Sequence, residues 1–175
     1  YGLFINEPSS VPTIYSVYCG VMLCQELELS IINEGRICEW VLKCYKDGGF
    51  SPFPNGTKSP LASLYAVLIL KRFNVLNESL QNEITNWALT LLNESTSKQE
   101  FTMELIWALI NILDQISGPQ AYQNLINVSE YVMDLYTAEG GFKNNVNASY
   151  PDIMSTFFAI DMLSKKDSNA LSRIS

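Results

Sequence analysis

The turn Asp47-Gly48-Gly49-Phe50, a polar loop after it, and then an almost wholly apolar helix form a unit that returns along the chain. Glu139-Gly140-Gly141-Phe142 repeats the turn, Gly2-Leu3-Phe4 is a degenerate copy, and a third unit has lost its glycines and opens near Phe101. The apolar helices align on a small-x-aromatic triplet: Ser16-Val17-Tyr18, Ser63-Leu64-Tyr65, Leu105-Ile106-Trp107 (Leu for Ser) and Ser155-Thr156-Phe157. These triplets lie 47, 42 and 50 residues apart, and Ser63 and Ser155 each follow the phenylalanine of their turn by 13 residues. A period in the forties with two helices per unit means stacked helical hairpins.

The apolar periodicity predicts the helices in order. The first runs from Thr13 to about Leu27, and the second, behind Ser30 as N-cap, over 31–45. Pro60 suits the first turn of a third helix ending near Phe73, because a missing N–H costs nothing there. That helix is apolar all round and calls for burial on every side. The fourth, about 79–92, is amphipathic, with Ile84, Trp87, Ala88, Leu91 and Leu92 on one face. A strongly apolar fifth follows over 102–116, an amphipathic sixth over 119–136, and an apolar last helix over 152–163. Each unit thus pairs a fully apolar helix with a half-wet one, which predicts an inner and an outer layer. Gly49 and Gly141 are expected at or beside positive-φ positions that close outer helices. Phe50 and Phe142 are expected to fill the gap between hairpins.

Composition narrows the partners. A net charge of −7 and scattered basic residues argue against nucleic acid, which needs clustered Lys and Arg. No apolar run reaches the roughly 18 residues of a membrane span. Charged residues are 17% of the chain, below the usual level of about 25%, so protein contacts or glycans have more surface to cover. At 175 residues, 1–175 is expected to form one domain, part of a longer chain.

The succession of outer helix, Asp-Gly-Gly-Phe, loop and Ser63-x-Tyr65-Ala66 on an inner helix resembles the repeat of protein prenyltransferase β-subunits and terpene cyclases. The resemblance covers nearly the whole chain and implies an all-α fold, a partial α/α toroid of about four hairpin units. The competing reading is an unrelated helical solenoid with glycine turns. The resemblance also implies chemistry that these residues do not supply. A prenyltransferase zinc is held by Asp, Cys and His, and histidine is absent here. The protonating cyclases carry Asp-x-Asp-Asp, and no such run exists. Asp152 and Asp161 share the last helix, but nine residues turn it by about 900°, so they face opposite sides. No metal or other cofactor is therefore expected.

What remains is a set of aromatic residues on the inner helices: Tyr18, Tyr65, Trp107 and Phe157, with Tyr15 and Phe158 beside them. They line either a pocket for an isoprenoid or other apolar ligand, as the resemblance implies, or plain core. Cys19 and Cys24 lie on the first helix, Cys38 and Cys44 on the second. Antiparallel nesting favours a Cys24–Cys38 bridge; the alternative is four small buried thiols. Sequons occur at Asn55, Asn77, Asn93, Asn127 and Asn147, all but Asn127 in expected loops or helix ends. Together these features point to a non-catalytic binding or structural domain, extracellular or at the cell surface and otherwise cytoplasmic, with a partner or further chain closing the toroid. The alternative is an incomplete portion of an enzyme acting on isoprenoid substrates.

Overall fold

A computed structural model of the chain describes residues 3–5, 11–96, 101–123 and 128–166. Its helices are α1 (Ile14–Glu26), α2 (Glu34–Leu42), α3 (Pro60–Arg72), α4 (Glu78–Thr96), α5 (Met103–Ser117), α6 (Gln120–Gln123), α7 (Val128–Asp134) and α8 (Ile153–Lys166). The strands β1 (Tyr45–Lys46) and β2 (Gly49–Phe50) form a small antiparallel hairpin. The fold is all-α, as expected.

The inner helices α1, α3, α5 and α8 all begin the same way. Thr13, Ser59, Thr102 and Asp152 each accept a hydrogen bond from the backbone N–H three residues on, at 3.1, 3.2, 3.3 and 2.8 Å. Each such cap is worth about 1 kcal/mol. The outer helix α2 is different. It starts at Glu34 behind Asn33, a left-handed residue without a side-chain cap, so Ser30 does not cap it. It ends at Leu42, and the Asp-Gly-Gly-Phe sequence then forms the hairpin. Asp47 and Gly48, with φ of 46° and 85°, occupy the tip. Two consecutive positive-φ residues match the twist of paired strands, the geometry that Asp-Gly favours. The glycine beside Gly49 therefore turns a hairpin rather than closing a helix. The second turn also reverses the chain through two positive-φ residues, but one register later and with a single bridge in place of a paired hairpin. Gly140 and Gly141 have φ of 81° and 139°, and Tyr136 bridges Phe142.

The chain divides into two compact units, Tyr1–Trp87 and Ala88–Ser175, with the boundary inside α4. In the first, α1 and α2 both pack on α3; in the second, α8 packs on α5 and α7. The units repeat a set of the same contacts. The Phe50 N–H donates to Ser63 Oγ (2.8 Å) and the Phe142 N–H to Thr156 Oγ1 (3.0 Å). The Phe50 carbonyl accepts from Ser59 N, and the Phe142 carbonyl from Asp152 N. Tyr45 packs on Phe50, and Tyr136 on Phe142, each with ring centroids 5.2 Å apart. The Ile14 N–H donates to Pro52 O and the Met103 N–H to Asn144 O, two residues past each phenylalanine. The inner-helix hydroxyl thus clasps the turn to the helix. In the last repeat the clasp is Thr156, not Ser155, because Ser155 is engaged by Asp152. Phe50 and Phe142 are fully buried, as expected of fillers. Burial of each contributes roughly 1.5–3 kcal/mol.

The two-layer expectation holds for α3 and α5, which are buried along most of their length, and for α4, where Ile84, Ala88 and Leu92 are buried and most residues through 94 are not. It fails for α1 and α8. Each keeps an apolar side open, with Tyr15 and Leu23 exposed on α1 and Met154, Phe157 and Ile160 on α8. The expected sixth helix is seen as α6 and α7, and residues 124–127 between them lie outside the described residues.

Candidate functional site

Residues three or four apart on a helix share a face. Each inner helix, within its own unit, leaves one such face partly open. It carries Tyr15, Tyr18 and Met22 on α1, and Leu61, Tyr65 and Leu68 on α3. On α8 it carries Met154, Phe157 and Asp161, and on α5 Glu104 and Trp107.

In the first unit the structure brings Tyr18 and Tyr65 together. Their rings stack at 4.7 Å between centroids, and Tyr15 leans on Tyr65 at 5.4 Å. Stacked aromatics of this kind gain about 0.5–1.5 kcal/mol beyond burial. Beside them lies a cleft of about 280 Å³, lined by Tyr15, Pro52, Ser59, Leu61, Ala62 and Tyr65. The lining is almost entirely apolar, and Tyr15 is 53% exposed, so the cleft can hold an apolar group but offers no charge to bind. Burial pushes the Tyr18 hydroxyl above its usual value, keeping it a neutral donor.

In the second unit Trp107 packs on Phe158 at 4.7 Å, and Phe158 meets Phe157 at 5.8 Å, edge to face. Trp107 and Phe157 therefore share a cluster through Phe158. The spacing of the sequence did not reveal the polar network beneath it. Trp107 Nε1–H donates to Asp161 Oδ2 (2.8 Å), Lys165 donates to Asp161 Oδ2 (2.7 Å) and to Asn111 Oδ1 (2.8 Å), and Asn111 Nδ2 donates to the Trp107 carbonyl (2.9 Å). Burial pushes the Asp161 carboxyl up, but hydrogen bonds from Lys165 and Trp107 outweigh it and hold the group below the usual range. Asp161 is thus a fixed carboxylate and a poor proton donor. Asp152 is spent on the helix N-terminus, where Ser155 holds its carboxyl low. The two aspartates do not form an acid pair.

All four cysteines are free thiols; the Cys24–Cys38 bridge expected from the sequence is not formed. The connection between α1 and α2 spans seven residues, 27–33, and both helices pack on α3. Cys44 is buried and its thiol is pushed up to about 12 by burial; burial, with Glu34 nearby, also raises Cys38. Asn55, Asn77 and Asn147 are exposed in loops or at a helix start. Asn93 is exposed too, but within α4, which runs four residues beyond the expected end. Asn127 lies outside the described residues.

Residues 3–106 and 84–175 match the prenyltransferase alpha-alpha toroid domain. No curated protein matches the chain. Among solved structures, Candida albicans protein geranylgeranyltransferase-I complexed with GGPP has a TM-score of 0.75 over 87% of this chain at 17% identity. The chain spans 49% of the length of that protein. At such identity the likeness is one of fold.

The zinc that the sequence resemblance implied for a prenyltransferase does not fit the donors present. Histidine is absent, and no group of three potential ligands converges among the described residues. Among the described residues no helix is long and apolar enough to cross a membrane. The matched domain spans nearly every residue, and the capped inner helices and clasped turns recur through it: the chain belongs to the prenyltransferase α/α toroid family.

Proposed function

We propose that these residues form a binding domain for an apolar ligand of the isoprenoid class and carry no transfer chemistry of their own. Two open aromatic faces, one in each unit, support this reading: in the first Tyr18 stacks on Tyr65 beside an apolar cleft, and in the second Trp107 shares a cluster with Phe157. Such a face binds by burying apolar surface and by ring contact. The geranylgeranyltransferase of similar fold is described in complex with GGPP, which favours an isoprenoid over other apolar ligands. Tryptophan fluorescence during titration with an isoprenoid alcohol tests the reading. Saturable quenching is expected, weakened about tenfold or more by Tyr65→Ala or Trp107→Ala. No saturable change, or equal affinity in both variants, would sink it.

A second reading has one specific support. The chain spans half the length of the matched structure, so these repeats also fit as part of a larger prenyltransferase-like enzyme whose reactive groups lie elsewhere, with further repeats or a partner closing the toroid. Under either reading the proposed location is extracellular or at the cell surface, supported by the exposed sequons at Asn55, Asn77, Asn93 and Asn147. A mass loss on glycosidase treatment of the native protein is the expected sign; an unmodified mass would contradict it.

A further inference from the structure

The four repeats do not hold their phenylalanines equally. Phe50 and Phe142 are each fixed at both ends of the residue: the N–H by an inner-helix hydroxyl, the carbonyl by the N–H of the cap residue. Both are fully buried. Phe4 is their counterpart in the first repeat, and it is only half-buried. Its carbonyl accepts from Ser16 Oγ at 3.1 Å, while the same hydroxyl lies nearer the Thr13 carbonyl, at 2.8 Å. A serine hydroxyl has one proton, so the shorter bond competes with the one that ties Phe4. The cap residue offers no replacement, because the Thr13 N–H is already given to Ser16 Oγ.

What holds Phe4 instead is a notch. Its ring occupies the space above Gly20 on α1, where a Cβ would come within 2.0 Å of ring carbon Cγ. Leu3 and Phe4 also form one wall of a cleft of about 430 Å³, whose other walls include Cys24, Ile31, Ile32 and Ile37.

We propose that Leu3–Phe4 is a strap that releases from α1 as a local unit, opening the Gly20 notch and the adjoining cleft while the rest of the first unit stays folded. Weakly anchored segments open at a small fraction of the cost of global unfolding. The glycine makes the seat: any side chain at position 20 would collide with the ring, so the notch exists only as a receptor for Phe4 or an aromatic group that replaces it.

Cys24 reports on the cleft, and Cys44 on the core. In a Cys19→Ser background, which removes the exposed thiol, iodoacetamide modification of Cys24 and Cys44 is followed by peptide mass analysis. Phe4→Ala removes the plug. Gly20→Ala expels it without touching the strap. Both variants are expected to raise the Cys24 rate about tenfold while Cys44 stays unmodified. An unchanged Cys24 rate in both variants would overturn the proposal. So would a parallel rise at Cys44, which would mean that the unit opens as a whole.

Discussion

The contact that most defines this chain at the residue scale is a hydroxyl on an inner helix holding the backbone of a turn. Ser63 accepts from the Phe50 N–H in a buried setting. Ser63→Ala leaves that N–H unpaired and is expected to cost about 1–3 kcal/mol, read as a fall in denaturation midpoint. Ser63→Thr should recover most of the loss, since Thr156 fills the same role in the second unit. The glycines differ in kind. Gly48 and Gly140 both have positive φ, but a Cβ at Gly48 would lie 2.6 Å from Trp87 Cβ, while one at Gly140 meets nothing within 4 Å. Both Ala variants pay the left-handed strain of about 1–2 kcal/mol. Gly48→Ala adds an overpacking cost of roughly 1–3 kcal/mol, so its thermal midpoint should fall further. Equal shifts would contradict this account. The special role of these glycines was legible from their recurrence. Which glycine takes the positive φ was not, because Asp-Gly-Gly allows a helix cap or a hairpin, and only the pairing of Tyr45 with Phe50 decides.

At the scale of elements, helix starts were read best where a cap coincided with an apolar run. Thr13, Pro60, Thr102 and Asp152 marked the inner helices to within a residue. Ser30 misled because an equally good cap residue stood before a segment, 31–33, that lacked the packing to continue a helix. Asp152 makes the cap of α8 testable by pH. Its carboxyl is held low by Ser155, so its charge stabilises the fold above the ordinary carboxylate range, near about pH 4. That contribution is lost as pH falls through the lower folded-state value. Asp152→Asn keeps a capping oxygen and removes the charge. The stability gap between wild type and variant should therefore be present at neutral pH and close as the solution is acidified below about pH 4. A gap that stays constant across that range would show that the charge does not matter to α8.

For the whole molecule, periodicity disclosed the architecture, while the site was legible only in part. The aromatic residues of the inner helices were visible as a set; their grouping into Tyr18 with Tyr65, and Trp107 with Phe157 through Phe158, joins different helices and came only from the structure. The network of Asn111, Asp161 and Lys165 was not visible, since it joins residues 54 apart on two helices. The repeat of the Gly-Gly-Phe turn was plain in the sequence, but the hydroxyl clasps on Phe50 and Phe142, 92 residues apart, were not. The central claim is that a prenyltransferase-like toroid scaffold here presents an apolar binding face without a metal centre. Equilibrium dialysis of the reduced protein against micromolar zinc, followed by metal analysis, tests it most directly. The account predicts that no stoichiometric zinc is retained. One zinc per chain, lost on Cys38→Ser, would contradict it.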